Sequence, residues 1–115
     1  SNLTKRRDGN PNILDTGFPD HGGLSGKIVG DLSNALIEQV YRKTQGEFVI
    51  IGVGGIFSAE DAYTKICLGA SLVELITGMV YEGPQLIGYI NRGLAAFLRR
   101  DGFASIAEAV GSRAK

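Results

Sequence analysis

The spacing of apolar positions divides the chain after residue 30 into helices and short strands. Leu32, Leu36, Ile37, Val40 and Tyr41 recur at three- and four-residue intervals. That spacing predicts a helix over residues 31–43 with this face buried. Asp31 or Ser33 can cap its start, and Gly46 stands just past its end. Residues 48–53 are a continuous β-branched and aromatic run, FVIIGV. The run is too short for a helix and shows no polar alternation, the pattern of a strand buried on both faces in a parallel sheet. Gly54-Gly55 ends it. Ser58 opens a second helix, with Asp61 three residues on as a weak form of the capping box. Ala59, Ala62, Tyr63, Ile66 and Cys67 form its inner stripe, and Gly69 stops it. Residues 71–76 read as a second strand. One helix lies between the two runs, which fits a right-handed βαβ crossover. Gly83-Pro84 starts a third helix, with Pro in its first turn. Its buried face is Leu86, Ile87, Ile90, Leu94, Phe97 and Leu98, and Gly102 ends it. Ser105 with Glu108 forms a capping box for a short last helix.

Residues 5–22 break this alternation. They carry Gly9, Gly17, Gly22, Pro11, Pro19 and several Asp and Asn, with little periodicity. A loop this long reads equally as an active-site cover or as disorder. The order is therefore loop, helix, strand, helix, strand, helix, short helix: α/β with parallel pairing. Two strands do not complete a parallel sheet, and a short strand can end at Ser1-Asn2. The chain reads as the end of something larger.

Composition removes several function classes. Twelve Lys and Arg balance twelve Asp and Glu, so no basic excess marks a nucleic-acid footprint. Hydrophobic residues make up 43% of the chain, enough for a core. One Cys and one His cannot form a disulfide framework or a Cys/His zinc site within the chain, and no metal site is expected. No apolar run reaches the ~18 residues needed to cross a bilayer, and the polar start shows no signal peptide. Cys67 lies on a helix's inner stripe and reads as core. His21 reads as a solvated loop residue, and Arg92, Arg99, Arg100 and Arg113 with Glu108 as solvated faces.

Seventeen of the 115 residues are Gly, about twice the usual share of ~7%. They cluster where backbone must turn tightly or meet a ligand. In residues 50–56, IIGVGGI, a buried strand runs through glycines into a capped helix. Backbone N–H groups and a helix N-terminus there suit a phosphate; a tight turn that needs Gly for packing alone fits the same residues. The dinucleotide fingerprint is absent, because the third Gly and the acidic residue after the next strand are missing. The turn at Leu75-Ile76-Thr77-Gly78 is a second candidate for an anion. Gly22-Gly23-Leu24-Ser25-Gly26-Lys27 is a third, without the spacing of a P-loop.

Together these stretches carry a resemblance. Residues 22–27, Asp31-Leu32-Ser33, residues 50–56, Gly69-Ala70-Ser71-Leu72-Val73 and Gly83-Pro84 closely resemble dihydroorotate dehydrogenases. GGLSGK, DLS and the closing Gly102-Phe103 with residues 107–111 look like the membrane-associated, quinone-dependent class. The resemblance implies the C-terminal part of a (β/α)8 TIM barrel, its last two to three βα units, over residues 1–115. It implies an FMN enzyme that oxidises dihydroorotate to orotate in pyrimidine biosynthesis and passes the electrons to a quinone. In the family a serine base takes the C5 proton and hydride moves from C6 to the flavin.

By matching motif positions, Gly26, Gly55 and Thr77 would contact FMN, with Gly55 and Thr77 at its phosphate. Ser25, Val53, Gly54 and Ile76 would line the same cavity. Ser1 sits where the family places a Thr or Ser near the flavin. Asn2 would hydrogen-bond orotate, with Leu3 beside it. Two positions depart from the family pattern. Leu3 stands where the family has a hydroxyl-bearing Thr, and Ile76 where it usually has Tyr. The family's serine base, its flavin-contacting lysine and the helical pair that docks on a membrane match nothing in this chain. No residue here is assigned as catalytic base. The resemblance implies association with a bacterial cytoplasmic or mitochondrial inner membrane through that missing region. Two other readings compete: another FMN- or phosphate-binding barrel oxidoreductase, and a non-catalytic partial barrel. The last would leave sheet edges open to self-association. By itself, the 115-residue chain is expected to be inactive and to bind FMN weakly or not at all.

Overall fold

A computed structural model describes residues 3–4 and 22–114. Ser1, Asn2, His21 and nearly all of the expected 5–22 loop lie outside the described residues. A 3-10 turn, Lys27–Val29, leads into α1 (Gly30–Thr44). Then follow β1 (Ile51–Val53), α2 (Ala59–Cys67), β2 (Leu72–Glu74), α3 (Thr77–Glu82), α4 (Leu86–Asp101) and α5 (Ile106–Ala109). β1 and β2 pair in parallel, with Ile51 opposite Leu72, Gly52 opposite Val73 and Val53 opposite Glu74. α2 is the crossover between them.

The core forms where α2 packs along α4. Ala62, Tyr63, Ile66 and Cys67 of α2 meet Leu86, Ile90 and Leu94 of α4, with Ile56 and Ala109 closing the ends. This is the expected inner stripe of α2, with Ala59 at its half-buried margin. Cys67 is a free, buried thiol. The α2 cap also forms: the Asp61 N–H donates to Ser58 Oγ at 3.1 Å. The Asp61 carboxylate accepts from the Phe57 N–H at 2.9 Å. Gly102 ends α4 at φ 81°, and the Phe103 N–H donates back to the Leu98 carbonyl at 2.9 Å, a Schellman closure.

Several expectations need correction. α1 buries Ser33 and Ile37 with half-buried Tyr41, whereas Leu32, Leu36 and Val40 are exposed. Residues 33, 37 and 41 lie four apart on the side that meets β1 and α2, and the Leu32 stripe lies beside it without cover. Neither Asp31 nor Ser33 caps α1; Val29 is the N-cap and makes no side-chain cap bond. The strand over 48–53 is shorter and more open than its composition predicts. Phe48, Val49 and Ile51 are exposed, and among the described residues β1 has a sheet neighbour on one side only. β2 likewise covers three residues of the expected six, with Leu72 exposed. Thr77-Gly78 is the start of a six-residue helix rather than a turn. α4 begins at Leu86 with Gln85 as N-cap, so Pro84 precedes the helix. Ile87 points outward. At α5, Ser105 makes no side-chain cap bond, while Glu108 accepts from the Ala104 N–H at 2.8 Å.

Candidate flavin-phosphate cavity

Both strands end on the same side, and the segments after them bound a cavity of about 600 Å³, a usual size for a small-molecule site. Its walls include Leu3, Ser25, Gly26, Val53, Gly54, Gly55, Ile76 and Thr77. Every sequence-predicted site residue among the described ones therefore reaches one hollow. Ser1 and Asn2 are not described. Sequence reasoning did not assign Phe57, Asn91 and Ile90 to this wall. Phe57 follows the glycine turn directly. Ile90 and Asn91 come from α4 across the core, and no local motif announces them.

Two contacts assemble the cavity from distant stretches. Thr4 and Leu24 exchange backbone hydrogen bonds at 2.8 and 2.9 Å, and this short antiparallel bridge brings Leu3 to the wall. Ser25 Oγ lies 2.8 Å from Thr77 Oγ1, a hydroxyl pair joining the GGLSGK stretch to the start of α3. The first turn of a helix leaves backbone N–H groups without intrahelical partners, so Thr77 and Gly78 bring amide donors beside those hydroxyls.

The glycine turn is built by close packing. Gly55 has φ 74° and touches the N-terminal end of α1. A Cβ there would collide with Gly30 Cα and stand 2.8 Å from Gly30 N. On Gly78 a Cβ would run into the Ile56 carbonyl oxygen. Gly26, at φ 90°, faces Thr77 Cγ2, which its Cβ would meet at 3.1 Å. Residues 54–56 are thus wedged between the starts of α1, against Gly55, and α3, against Ile56. Packing explains these glycines, and the same packing presents bare backbone to the cavity.

Among the described residues, no Lys or Arg lines this cavity. Its polar groups are hydroxyls, amides, Asn91 and the exposed Glu74 carboxylate near its edge. The donor set fits a phosphate held by neutral hydrogen bonds, and the apolar walls of Leu3, Val53, Ile76 and Ile87 suit a planar ring system. Lys27 lies just outside, its Nζ 5.2 Å from the Phe57 ring centroid. Among the described residues, no group of three or more His, Cys, Asp or Glu could hold a metal. None of the described helices is long and apolar enough to cross a membrane.

Away from the cavity, two of the expected solvated arginines, Arg100 and Arg113, gather around Asp101. Arg100 Nε donates to Asp101 Oδ1 at 2.7 Å, and Tyr63 Oη donates to Oδ2 at 2.7 Å. Arg113 approaches at 3.6 Å. The Arg100 bond, then the Tyr63 bond, holds the Asp101 carboxyl down at about 2 from its ordinary 3.8. Burial, then the bond to Asp101, pushes the Tyr63 phenol up.

The comparisons agree with this geometry. The dihydroorotate dehydrogenase family model matches residues 4–98. A dihydroorotate dehydrogenase (quinone) of Deinococcus deserti is 47% identical over 99% of this chain and 31% of its own length. One from Nostoc punctiforme is 48% identical over the whole chain and 32% of its own length. The chain thus spans about a third of the length of these curated relatives. The crystal structure of the Eimeria tenella dihydroorotate dehydrogenase in complex with ferulenol superposes with a TM-score of 0.88. It is 32% identical and covers 97% of this chain and 29% of that one. The ligand-free Eimeria tenella structure superposes with a TM-score of 0.87, covering all of this chain. The parallel β1–α2–β2 unit with its flanking helices is accordingly a portion of a TIM barrel, and the chain belongs to the dihydroorotate dehydrogenase family.

Proposed function

We propose that this chain supplies the flavin-phosphate end of a quinone-dependent dihydroorotate dehydrogenase, an oxidoreductase of pyrimidine biosynthesis with FMN as cofactor. One observation carries the reading. Seven residues assigned from three separate motifs, with Leu3 from a fourth stretch, converge on one cavity, and Ser25 and Thr77 meet there at 2.8 Å.

In this reading Gly55, Gly78 and Thr77 offer backbone and hydroxyl donors to the phosphate. Gly26 leaves room beside Thr77 for close approach. Val53, Ile76 and Leu3 shield one wall from water. FMN, when bound, would supply the hydride-accepting chemistry. The base that removes the substrate proton is not assigned to any residue of this chain. Asn2 would orient orotate, and Leu3 gives it apolar contact without a hydroxyl. Membrane association and the quinone partner belong to the same proposal and rest on the relatives' names and on the family resemblance.

The test joins this chain to the upstream two thirds of a curated relative and measures dihydroorotate-dependent quinone reduction. Turnover is expected with FMN bound stoichiometrically. A folded, flavin-loaded protein that does not turn over dihydroorotate but is reduced by another donor would move the assignment to a different barrel oxidoreductase. The isolated chain should show no turnover and at most weak FMN fluorescence quenching. A tight stoichiometric complex would contradict the view that the site needs walls from elsewhere.

A further inference from the structure

Lys65 is the one buried charged side chain among the described residues, 1% exposed. It sits on α2 behind the strand, on the side of β1 away from solvent. Its stem lies against Gly52, where a Cβ would stand 3.2 Å from Lys65 Cδ. The missing side chain at Gly52 makes the space this lysine fills. Its Nζ donates to Ser33 Oγ at 3.0 Å and to Asn34 Oδ1 at 2.8 Å. Ser33 in turn donates to the carbonyl oxygen of Val53, the last residue of β1 before the glycine turn. Among the described residues no carboxylate lies within ion-pairing distance of Lys65.

A buried ammonium held by two neutral oxygens is costly, and a core of this kind would be served as well by an apolar side chain. Its position suggests what it does. A second hollow, on the back of the glycine turn, is walled by Lys65, Asn34, Lys27 and Gly55. Gly55 therefore has the ligand cavity on one side and the lysine's hollow on the other.

We propose that Lys65 is a positioning residue for the anionic end of the cofactor. Through Ser33 it ties down the Val53 carbonyl and so fixes the start of the Gly54-Gly55 turn. It also places a positive charge behind that turn, where the described residues of the front wall include no Lys or Arg. The field of a buried charge is weakly screened, so it acts on a phosphate it does not touch. This gives the DLS motif a role: Ser33 is the link, and capping is not its task. The inference rests on the proposal that a flavin phosphate sits at this turn.

Burial lowers the Lys65 pKa from 10.5 to about 8, opposed by the charges of Asp61 and Asp31. Asp31 on α1, Asp61 on α2, Glu82 on α3 and Lys27 in the 3-10 turn are the charged groups that line the same hollow. The charge is thus present near neutral pH and is lost as pH rises beyond about 8.

The experiment compares FMN with riboflavin, which lacks the phosphate, by fluorescence titration of this chain joined to the upstream two thirds of a curated relative. Lys65→Met keeps the stem and removes the charge. FMN affinity is expected to fall about tenfold, the scale of a unit charge acting through space across partly screened protein, with riboflavin affinity unchanged. The native protein should lose FMN affinity above pH 8, and the Met variant should show no such step. Ser33→Ala, a smaller change, should weaken FMN binding while keeping the pH step. Equal losses of FMN and riboflavin would reduce Lys65 to a packing residue and overturn the proposal, as would native FMN affinity in both variants. If the native protein binds riboflavin and FMN equally, the phosphate reading itself fails. If FMN binds more tightly and Lys65→Met changes nothing, only the lysine inference falls.

Discussion

Replacing Gly55 by Ala tests whether the glycine turn is held by packing. Two costs add at this position. Its φ of 74° is a left-handed conformation that costs an L-residue ~1–2 kcal/mol. The new methyl would also overlap Gly30 backbone, and overpacking of this kind costs about 1–3 kcal/mol. The sum is roughly 2–5 kcal/mol, a large part of the ~5–15 kcal/mol that holds a typical domain together. Gly102 is the internal control. It has φ 81°, close to that of Gly55, but no atom lies within 4 Å of the place its Cβ would take. Gly102→Ala therefore carries the conformational cost alone. Urea unfolding of the two variants, followed by circular dichroism, separates the terms. At an m-value of ~2 kcal/mol per molar, Gly55→Ala should lower the midpoint by roughly 1–2.5 M, and Gly102→Ala by clearly less. The difference between them measures the contact with Gly30. Equal midpoints at equal m-values would mean that the turn yields freely, and the argument that α1 holds it in place would fail.

Asp101 should make stability depend on acid. Its folded-state pKa of about 2 lies below the ordinary 3.8, so the unfolded chain binds more protons between those values and stability falls as pH drops through them. Asp101→Asn should flatten that part of an acid-unfolding curve; an unchanged curve would show that the Arg100 and Tyr63 bonds contribute nothing. The paired positions Ile51 and Leu72, 48% and 60% exposed, should make the isolated chain self-associate in sedimentation velocity. Ile51→Lys with Leu72→Lys should return it to monomer, and a native chain that sediments as a monomer would refute the expectation.

Much of the helical frame was legible because its signals are local. The stripe of Ala62, Tyr63, Ile66 and Cys67 needs a single partner surface, and α4 provides it within the same chain. The Ser58–Asp61 cap and the Gly102 closure are decided within one turn of backbone. The candidate site was legible for a different reason: its glycines and hydroxyls lie at strand ends, where the resemblance could place them. What local pattern could not show was how the pieces meet. Ser25 and Thr77 are 52 positions apart, and nothing near either residue announces the other. Ile90 and Asn91 reach the cavity through the packing of α4. Lys65 falls outside the apolar stripe named for its helix, and its burial follows from the room that Gly52 leaves.

The errors in burial have one physical source. A continuous apolar strand such as residues 48–53 is specified for cover on both faces and both edges. Among the described residues β1 pairs with β2 alone, and Phe48, Val49 and Ile51 remain exposed. Leu32, Leu36 and Val40 on α1, and Ile76, Val80 and Ile87 around the cavity, are exposed in the same way. These residues fall on the flanks of the α2–α4 core rather than within it. The pattern along the chain therefore encodes contacts that this chain's described residues do not make, and the relatives are about three times its length. The phosphate end differs in kind. Gly55 against Gly30, Gly78 against Ile56 and Lys65 behind Gly52 are all contacts within the chain. The turn proposed to cradle an anion is packed by contacts within the chain, while the apolar walls proposed to enclose a flavin ring stay partly exposed among the described residues. That division explains why the proposed site should hold its turn geometry in this chain while needing the longer protein to bind cofactor tightly.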